Sequence, residues 1–277
     1  MSISQALAFL RQKDHTMKMI GLEIIKNSPE KEQAFEAVKT LLKDENPDVR
    51  GFAAEVLTTI STKEGLPLIL ELLKAPVSIV RLNILNIFEK HPTAEYVSSI
   101  KQCTYDKDAK VRKATLRALS AVGTPEILDS VLNSLRDTNE IIFDEATKIL
   151  ANYRGSVPES LVSVYLKDKN PDIRKAVLRF LLPQLDRPCV DFYIQALEDE
   201  DPEVKKTALV QLQEKISSEE IVDKANIFTE LAIKLLKDSS KPVRFHAINL
   251  LAVLKNPSAL EHLLKSPPMT MMRILGH

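Results

Sequence analysis

One phrase recurs along this chain and decides what it can fold into. It starts at a loop aspartate, crosses a polar or proline-containing turn, and ends in an apolar residue followed by a base. It reads Asp44 to Arg50 (DENPDVR), Asp106 to Arg112 (DKDAKVR), Asp168 to Arg174 (DKNPDIR), Asp199 to Lys205 (DEDPEVK) and Asp238 to Arg244 (DSSKPVR). The apolar residue before the base falls at Val49, Val80, Val111, Ile142, Ile173 and Val204, each 31 residues after the last. The next marker, Val243, follows after 39, so eight residues are inserted there. A fixed period of this size marks a repeat array in which each unit touches its neighbours.

The residues around each phrase define the unit. After the base, apolar residues recur at spacings of three and four: Phe52, Ala53, Val56, Leu57 and Ile60 in one repeat, Ala114, Leu116, Ala118, Leu119 and Val122 in another. That spacing predicts a helix with one buried face. A second apolar set precedes each loop aspartate, as in Val38-Leu41-Leu42, Ile69-Leu72-Leu73 and Val131-Leu132-Leu135. Pro125, Pro158, Pro188 and Pro257 are placed to open first helices, and Pro47, Pro171, Pro202 and Pro242 to open second helices, where a missing N–H costs nothing. Asn46, Asn170 and Asp201 precede three of them as N-caps. Each unit is therefore read as two antiparallel helices of about 12 residues. One such hairpin cannot bury both its faces, whereas a stack closes a continuous core. The expected fold is all-α, an α-solenoid of stacked helix hairpins with period 31.

The Asp…Val-Arg phrase, with the Ala-rich and Leu-rich pattern behind it, resembles the HEAT-repeat family, in particular the short bacterial-type repeats also found in bilin-lyase-like proteins. The resemblance covers roughly residues 30 to 265. It implies a HEAT/armadillo-like superhelix that carries partner-binding surfaces more often than chemistry. It also implies a ladder of charge-assisted hydrogen bonds between loop aspartate and helix arginine of neighbouring units. Ala75 replaces the aspartate in one unit and Phe143 the arginine in another, so the ladder is expected to be interrupted there. Residues 1–29 read as a degenerate N-terminal capping repeat, with Met17-Lys18 standing 32 residues before Val49-Arg50. Residues 30–265 read as seven units, and 266–277 as an irregular tail or the start of a further repeat around Met272-Arg273. The eight extra residues, within 213–230, are expected to lengthen a first helix through Ile221, Ala225 and Phe228.

Composition narrows the function classes. The 38 Lys plus Arg balance the 38 Asp plus Glu, which argues against a dedicated nucleic-acid binder but leaves room for a local basic stripe. Two cysteines, Cys103 and Cys189, lie 86 residues apart, with no disulfide framework or zinc spacing; they read as core residues. The N-terminus lacks the pattern of a signal peptide, and no 18-residue apolar run exists to span a membrane, so a cytoplasmic location is expected. The five histidines form no ligand pair at helical spacing. The His-Glu dipeptides of HEAT-type di-iron hydroxylases and the tryptophan of HEAT-like DNA glycosylases are both absent. No Ser/His/Asp arrangement and no Gly-rich phosphate loop is present, so neither catalytic residue, metal nor cofactor is expected.

What remains is a surface. Side chains one and five residues after the base are expected to point out of the inner, concave face of the second helices. There the middle units contribute Lys113, Arg117, Lys148, Lys175, Arg179 and Lys206. With hairpins about 10 Å apart, they would form a basic strip about 40 Å long. Such a strip suits an acidic peptide, a phosphorylated segment or a nucleic-acid backbone; the competing reading is ordinary solvated charge. Phe143, at a normally charged place, is either an exposed anchor or packed into the next unit. The leading functional expectation is a non-enzymatic scaffold that binds a protein or peptide. Polyanion or nucleic-acid binding through the same strip comes second. A bilin-lyase-like enzyme comes third, and it would need a deep pocket of converging polar groups.

Overall fold

The computed structural model describes residues 1–185, 190–215 and 222–254. Helices account for the regular structure, and no strand occurs among the described residues. The helices run in pairs: α1 (Ile3–Leu10) with α2 (His15–Lys26), α3 (Phe35–Thr40) with α4 (Pro47–Ile60), α5 (Thr62–Glu71) with α6 (Ser78–Lys90), and α7 (Val97–Ile100) with α8 (Ala109–Val122). They continue with α9 (Leu128–Ser134) and α10 (Glu140–Asn152), α11 (Glu159–Tyr165) and α12 (Pro171–Ala176), α13 (Val190–Leu197) and α14 (Pro202–Lys215), and α15 (Ala225–Leu235) and α16 (Lys241–Leu254). The chain is an α-solenoid of stacked hairpins. It divides into two compact units, Met1–Ile149 and Leu150–His277.

The two helices of a hairpin are unequal, contrary to the equal lengths expected. Most second helices hold 13 or 14 residues. First helices are shorter and end in tight 3₁₀ turns, as in Leu41–Lys43, Leu72–Lys74 and Lys101–Tyr105. The tightening satisfies helix-end carbonyls before the loop turns away: the N–H groups of Asp44, Ala75 and Asp106 donate to Leu41, Leu72 and Cys103. The caps act as expected at Asn46, Asn170 and Asp201, whose side chains accept first-turn N–H groups. Pro47 and Pro171 open α4 and α12, while Pro158 sits one place earlier, at the cap of α11. Gly123 ends α8 with a φ of 70°, a left-handed stop that its lack of a side chain permits. Past Ala176, the second helix of its repeat widens into a π turn over Val177–Leu181. Pro183 cannot donate and its ring crowds the preceding turn, and the Gln184 side chain takes over the Phe180 carbonyl. Cys189, Ile221, Pro188, Pro257 and the C-terminal tail lie outside the described residues.

Between hairpins the core is aliphatic. Val49, Ala53, Val56 and Leu57 of α4, Ile84 and Leu85 of α6, and Val111 and Leu119 of α8 are fully buried, as the three-four spacing requires. Tyr96 is fully buried too: its ring stacks on Phe88 at 4.3 Å between centroids and its hydroxyl donates to the Phe88 carbonyl.

Adjacent hairpins are tied by one recurring ionic joint. The Arg81 guanidinium donates through Nε and Nη2 to both carboxylate oxygens of Asp106, at 2.7 and 2.8 Å. Arg112 grips Asp137 the same way at 2.6 and 3.0 Å, and Arg174 grips Asp199 at 2.8 and 2.7 Å. The third guanidinium nitrogen donates back to the carbonyl that opens its own loop: Ala75 for Arg81, Asp106 for Arg112 and Asp168 for Arg174. Each aspartate also accepts the N–H two residues on, which shapes its turn. Lys18 to Asp44 and Lys205 to Asp238 make single-pronged versions at the ends. Base and acid lie 25 residues apart in the three arginine joints and 33 apart for Lys205, so the insertion has been absorbed without losing the contact. At Ala75 a joint is missing, and among the described residues Arg50 bonds only the Asp44 and Glu45 carbonyls. Phe143 has no cation to offer.

The joint is nearly dry, with side-chain exposure of 7% for Arg81 and 10% for Asp106. Removing one partner strands the other, which costs about 3 kcal/mol in such settings. Asp106→Ala is therefore expected to lower stability by about that amount in urea unfolding. Ala75→Asp offers Arg50 the missing carboxylate and is expected to raise stability by about 1 kcal/mol.

The joints also set the acid limit. Burial pushes the Asp106 carboxyl up, but the Arg81 guanidinium and the Asp108 N–H outweigh it and hold the group below its ordinary value. Burial is likewise overcome at Asp137 by Arg112 and the Asn139 N–H, and at Asp238 by Lys205 and the Ser240 N–H. A carboxyl depressed in the folded state stabilises it above the unfolded pKa of about 3.9, and that contribution disappears as pH falls through the folded value. Stability is expected to be flat toward neutral pH and to drop steeply below about pH 4. Asp137→Asn should flatten that drop in urea titrations at stepped pH.

Candidate partner-binding face

Second helices pack side by side within each unit, α4 between α2 and α6, and α14 against α12 and α16. Their fifth position after the base stays in solvent in several repeats: Asn86, Arg117, Lys148 and Arg179 are exposed. Many surrounding positions are closed by packing or by ion pairs, while Asp144 is exposed as well. The first position is less open than expected. Gly51 is buried there, and a Cβ on it would lie 2.7 Å from the Asn83 amide of the next helix. Lys113, Lys175 and Lys206 are half-buried along their stems.

The six basic side chains do not stand as bare charge. Lys113 reaches Glu145 of the following repeat at 3.4 Å, and Arg117 reaches Glu89 of the preceding one at 2.9 Å. Lys26 and Glu55 make a similar link at 2.8 Å. Lys175 and Lys206 instead pair three residues back on their own helices, with Asp172 and Glu203. Lys148 also has a partner. Arg179 has no carboxylate within ion-pair distance among the described residues, and its guanidinium lies over the Phe180 ring at 5.3 Å. Within Met1–Ile149 the cations are thus interleaved with carboxylates at the second and eighth positions after the base, Glu145 and Glu89; within Leu150–His277 the two lysines pair on their own helices. Scanning those positions in the sequence would have shown Glu89 and Glu145; the first and fifth alone did not.

Phe143 is half-buried, while its neighbour Ile141 is 57% exposed. In the second unit Phe245 of α16, at the first position after its base, is 45% exposed and held edge-on against His246 at 5.3 Å. Burial, and after it the Lys206 charge, hold the His246 imidazole below its ordinary pKa; the helices that carry Lys206 and Phe245, α14 and α16, pack against each other.

The chemistry available elsewhere is sparse. An open cleft of about 560 Å³ is bordered by Pro67, Leu70, Lys74, Gln102, Cys103 and Asp106. Its carboxylates are both paired, Asp106 with Arg81 and Glu71 with Lys74, and burial, then the Asp106 charge, push the Cys103 thiol up, away from a nucleophilic thiolate. No cluster of three or more His, Cys, Asp or Glu suited to a metal ion occurs among the described residues. No helix among them is long and apolar enough to cross a membrane.

The family follows from the same architecture. A family model of HEAT repeats matches residues 7–86, 97–181 and 190–266, and the chain belongs to that family. No curated protein sequence matches it. Among solved structures it is similar to an engineered protein at 20% identity, covering 95% of this chain and 82% of that one, with a TM-score of 0.44. It is also similar to the complex of CpcE and CpcF of phycocyanin lyase from Nostoc sp., at 16% identity, 83% and 95% coverage and a TM-score of 0.44. An archaeal HEAT-like repeats protein from Thermococcus onnurineus shares 12% identity over 92% of this chain and 97% of that one, with a TM-score of 0.41.

Exposed ion pairs contribute about 0.2–1 kcal/mol each, so the links between repeats set local register more than they hold the stack. Arg117→Glu and Glu89→Arg are each expected to cost about 0.5 kcal/mol, and the double exchange to recover most of it in a double-mutant cycle.

Proposed function

We propose that this protein is a non-enzymatic HEAT-repeat scaffold whose second-helix face binds a protein or peptide partner. The observation that carries the reading is a solvent-exposed polar side chain at one repeat position of second helices that bury the opposite face: Asn86, Arg117 and Lys148 in one unit, Arg179 in the other. A rigid helix presenting one solvent-exposed polar side chain per repeat suits an extended partner that is read stepwise. The carboxylates between the cations favour a partner of patterned charge over a uniform polyanion, because each like charge brought against Glu89, Glu145 or Asp172 costs energy.

Affinity capture with the wild type beside the combined variant Lys113→Glu, Arg117→Glu, Lys175→Glu and Arg179→Glu tests it. A defined protein is expected to be retained by the wild type and lost by the variant. Retention of nucleic acid in its place, eluting steeply with salt, would replace the reading with polyanion binding.

A further inference from the structure

We propose that the binding determinants lie in residues 171–249, where Arg179, Lys206 and Phe245 form a docking site for an acidic peptide segment bearing an apolar side chain. The proposal rests on the reading of the second-helix face as the binding face, and narrows it. The two units differ in how their face cations are held. Within 1–149, Lys26, Lys113 and Arg117 are bound to carboxylates of neighbouring repeats, so a ligand would have to break a link between hairpins to reach them. Among the described residues of 171–249 no such link ties up the face cations Lys175, Arg179 and Lys206; apart from the joints, the inter-repeat pairs there, Lys224 with Asp191 and Lys234 with Glu198, lie on or beside first helices. Lys175 and Lys206 pair, among the described residues, only with first-turn acids of their own helices, Asp172 and Glu203. Those acids keep a second role at the positive helix N-terminus when the lysine swings outward, so releasing it is cheap.

Arg179 is freer still. It occupies the same repeat position as Arg117, but where Glu89 would face it the sequence has Ala151. Its guanidinium rests over an aromatic ring and keeps its hydrogen-bonding edges for a carboxylate. The joints use the other cations of these helices, since Arg174 is committed to Asp199 and Lys205 to Asp238. On the neighbouring helix Phe245 presents an exposed ring at the position that holds Lys206 one repeat earlier, braced by His246. Two cations and a fixed aromatic ring on packed helices match acid groups flanking an apolar side chain. A phosphate backbone fits less well. It carries charge at every nucleotide and cannot skip Asp172, Glu203 and Glu214, whereas a peptide can place its acids opposite the cations.

The test is fluorescence anisotropy on the full chain with three labelled probes. These are an Asp/Glu-rich peptide with a central Phe, the same peptide with Asn/Gln for its acids, and a single-stranded oligonucleotide. Only the acidic peptide is expected to bind. Arg179→Glu with Lys206→Glu should weaken it about tenfold or more, and Phe245→Ala severalfold. Lys113→Glu with Arg117→Glu, whose cations are held by Glu145 and Glu89, should weaken it by less than about twofold. Equal loss in that last variant would overturn the localisation and leave the broader reading of the face standing. Preference for the oligonucleotide, or no binding of the acidic peptide to the wild type, would overturn the assignment of an acidic peptide. Far-ultraviolet circular dichroism melts of each variant, expected to match wild type, separate lost binding from lost folding.

Discussion

The arginine–aspartate joint is the contact on which the stack depends. One guanidinium makes three attachments: two prongs to the carboxylate of the next hairpin and one back to the carbonyl that opens its own loop. The carboxylate it holds meanwhile closes the next turn through a backbone N–H. Loop shape, helix start and spacing between hairpins are thereby coupled in one part-buried cluster. Such a cluster is unforgiving, because a buried ion without its partner is far costlier than a pair that was never made. Apolar packing supplies the bulk of cohesion between hairpins, and the joint specifies how they are set against one another.

That division explains where the chain tolerates change. At Ala75 and Phe143 the repeat has lost one side of a joint while keeping Val80 and Ile142 fully or nearly fully buried. Lys205 replaces the arginine and keeps its aspartate across an eight-residue insertion, since a flexible ammonium needs only one oxygen in reach. The hairpin seam survives these losses because its aliphatic side chains are still buried.

The face of the second helices follows a different rule. Its side chains are released from packing, so neighbouring charges find each other through weak, solvent-exposed pairs. In 1–149 these pairs run between repeats and occupy the cations; in 171–249 they stay within a helix. The same residue types at the same repeat positions therefore differ in what they can offer a partner.

The repeat phrase at 31-residue spacing was enough to determine the hairpins, the buried stripe, the caps at Asn46 and Asn170, and membership of the HEAT-repeat family. These depend on local periodicity and turn chemistry, which a linear chain records directly. The basic strip was legible as a set of residues but not as a surface. Whether Lys113 meets Glu145, whether Gly51 is roofed by Asn83, and whether Phe245 stays in solvent are set by side chains some 30 residues away, brought alongside only by stacking. The unequal helix lengths and the π turn before Pro183 were likewise decided in three dimensions, where tight turns and a missing N–H had to be reconciled with the next hairpin. Sequence alone determined the repeating unit; tertiary structure decided which charges each unit leaves available, because availability depends on the neighbour each one meets.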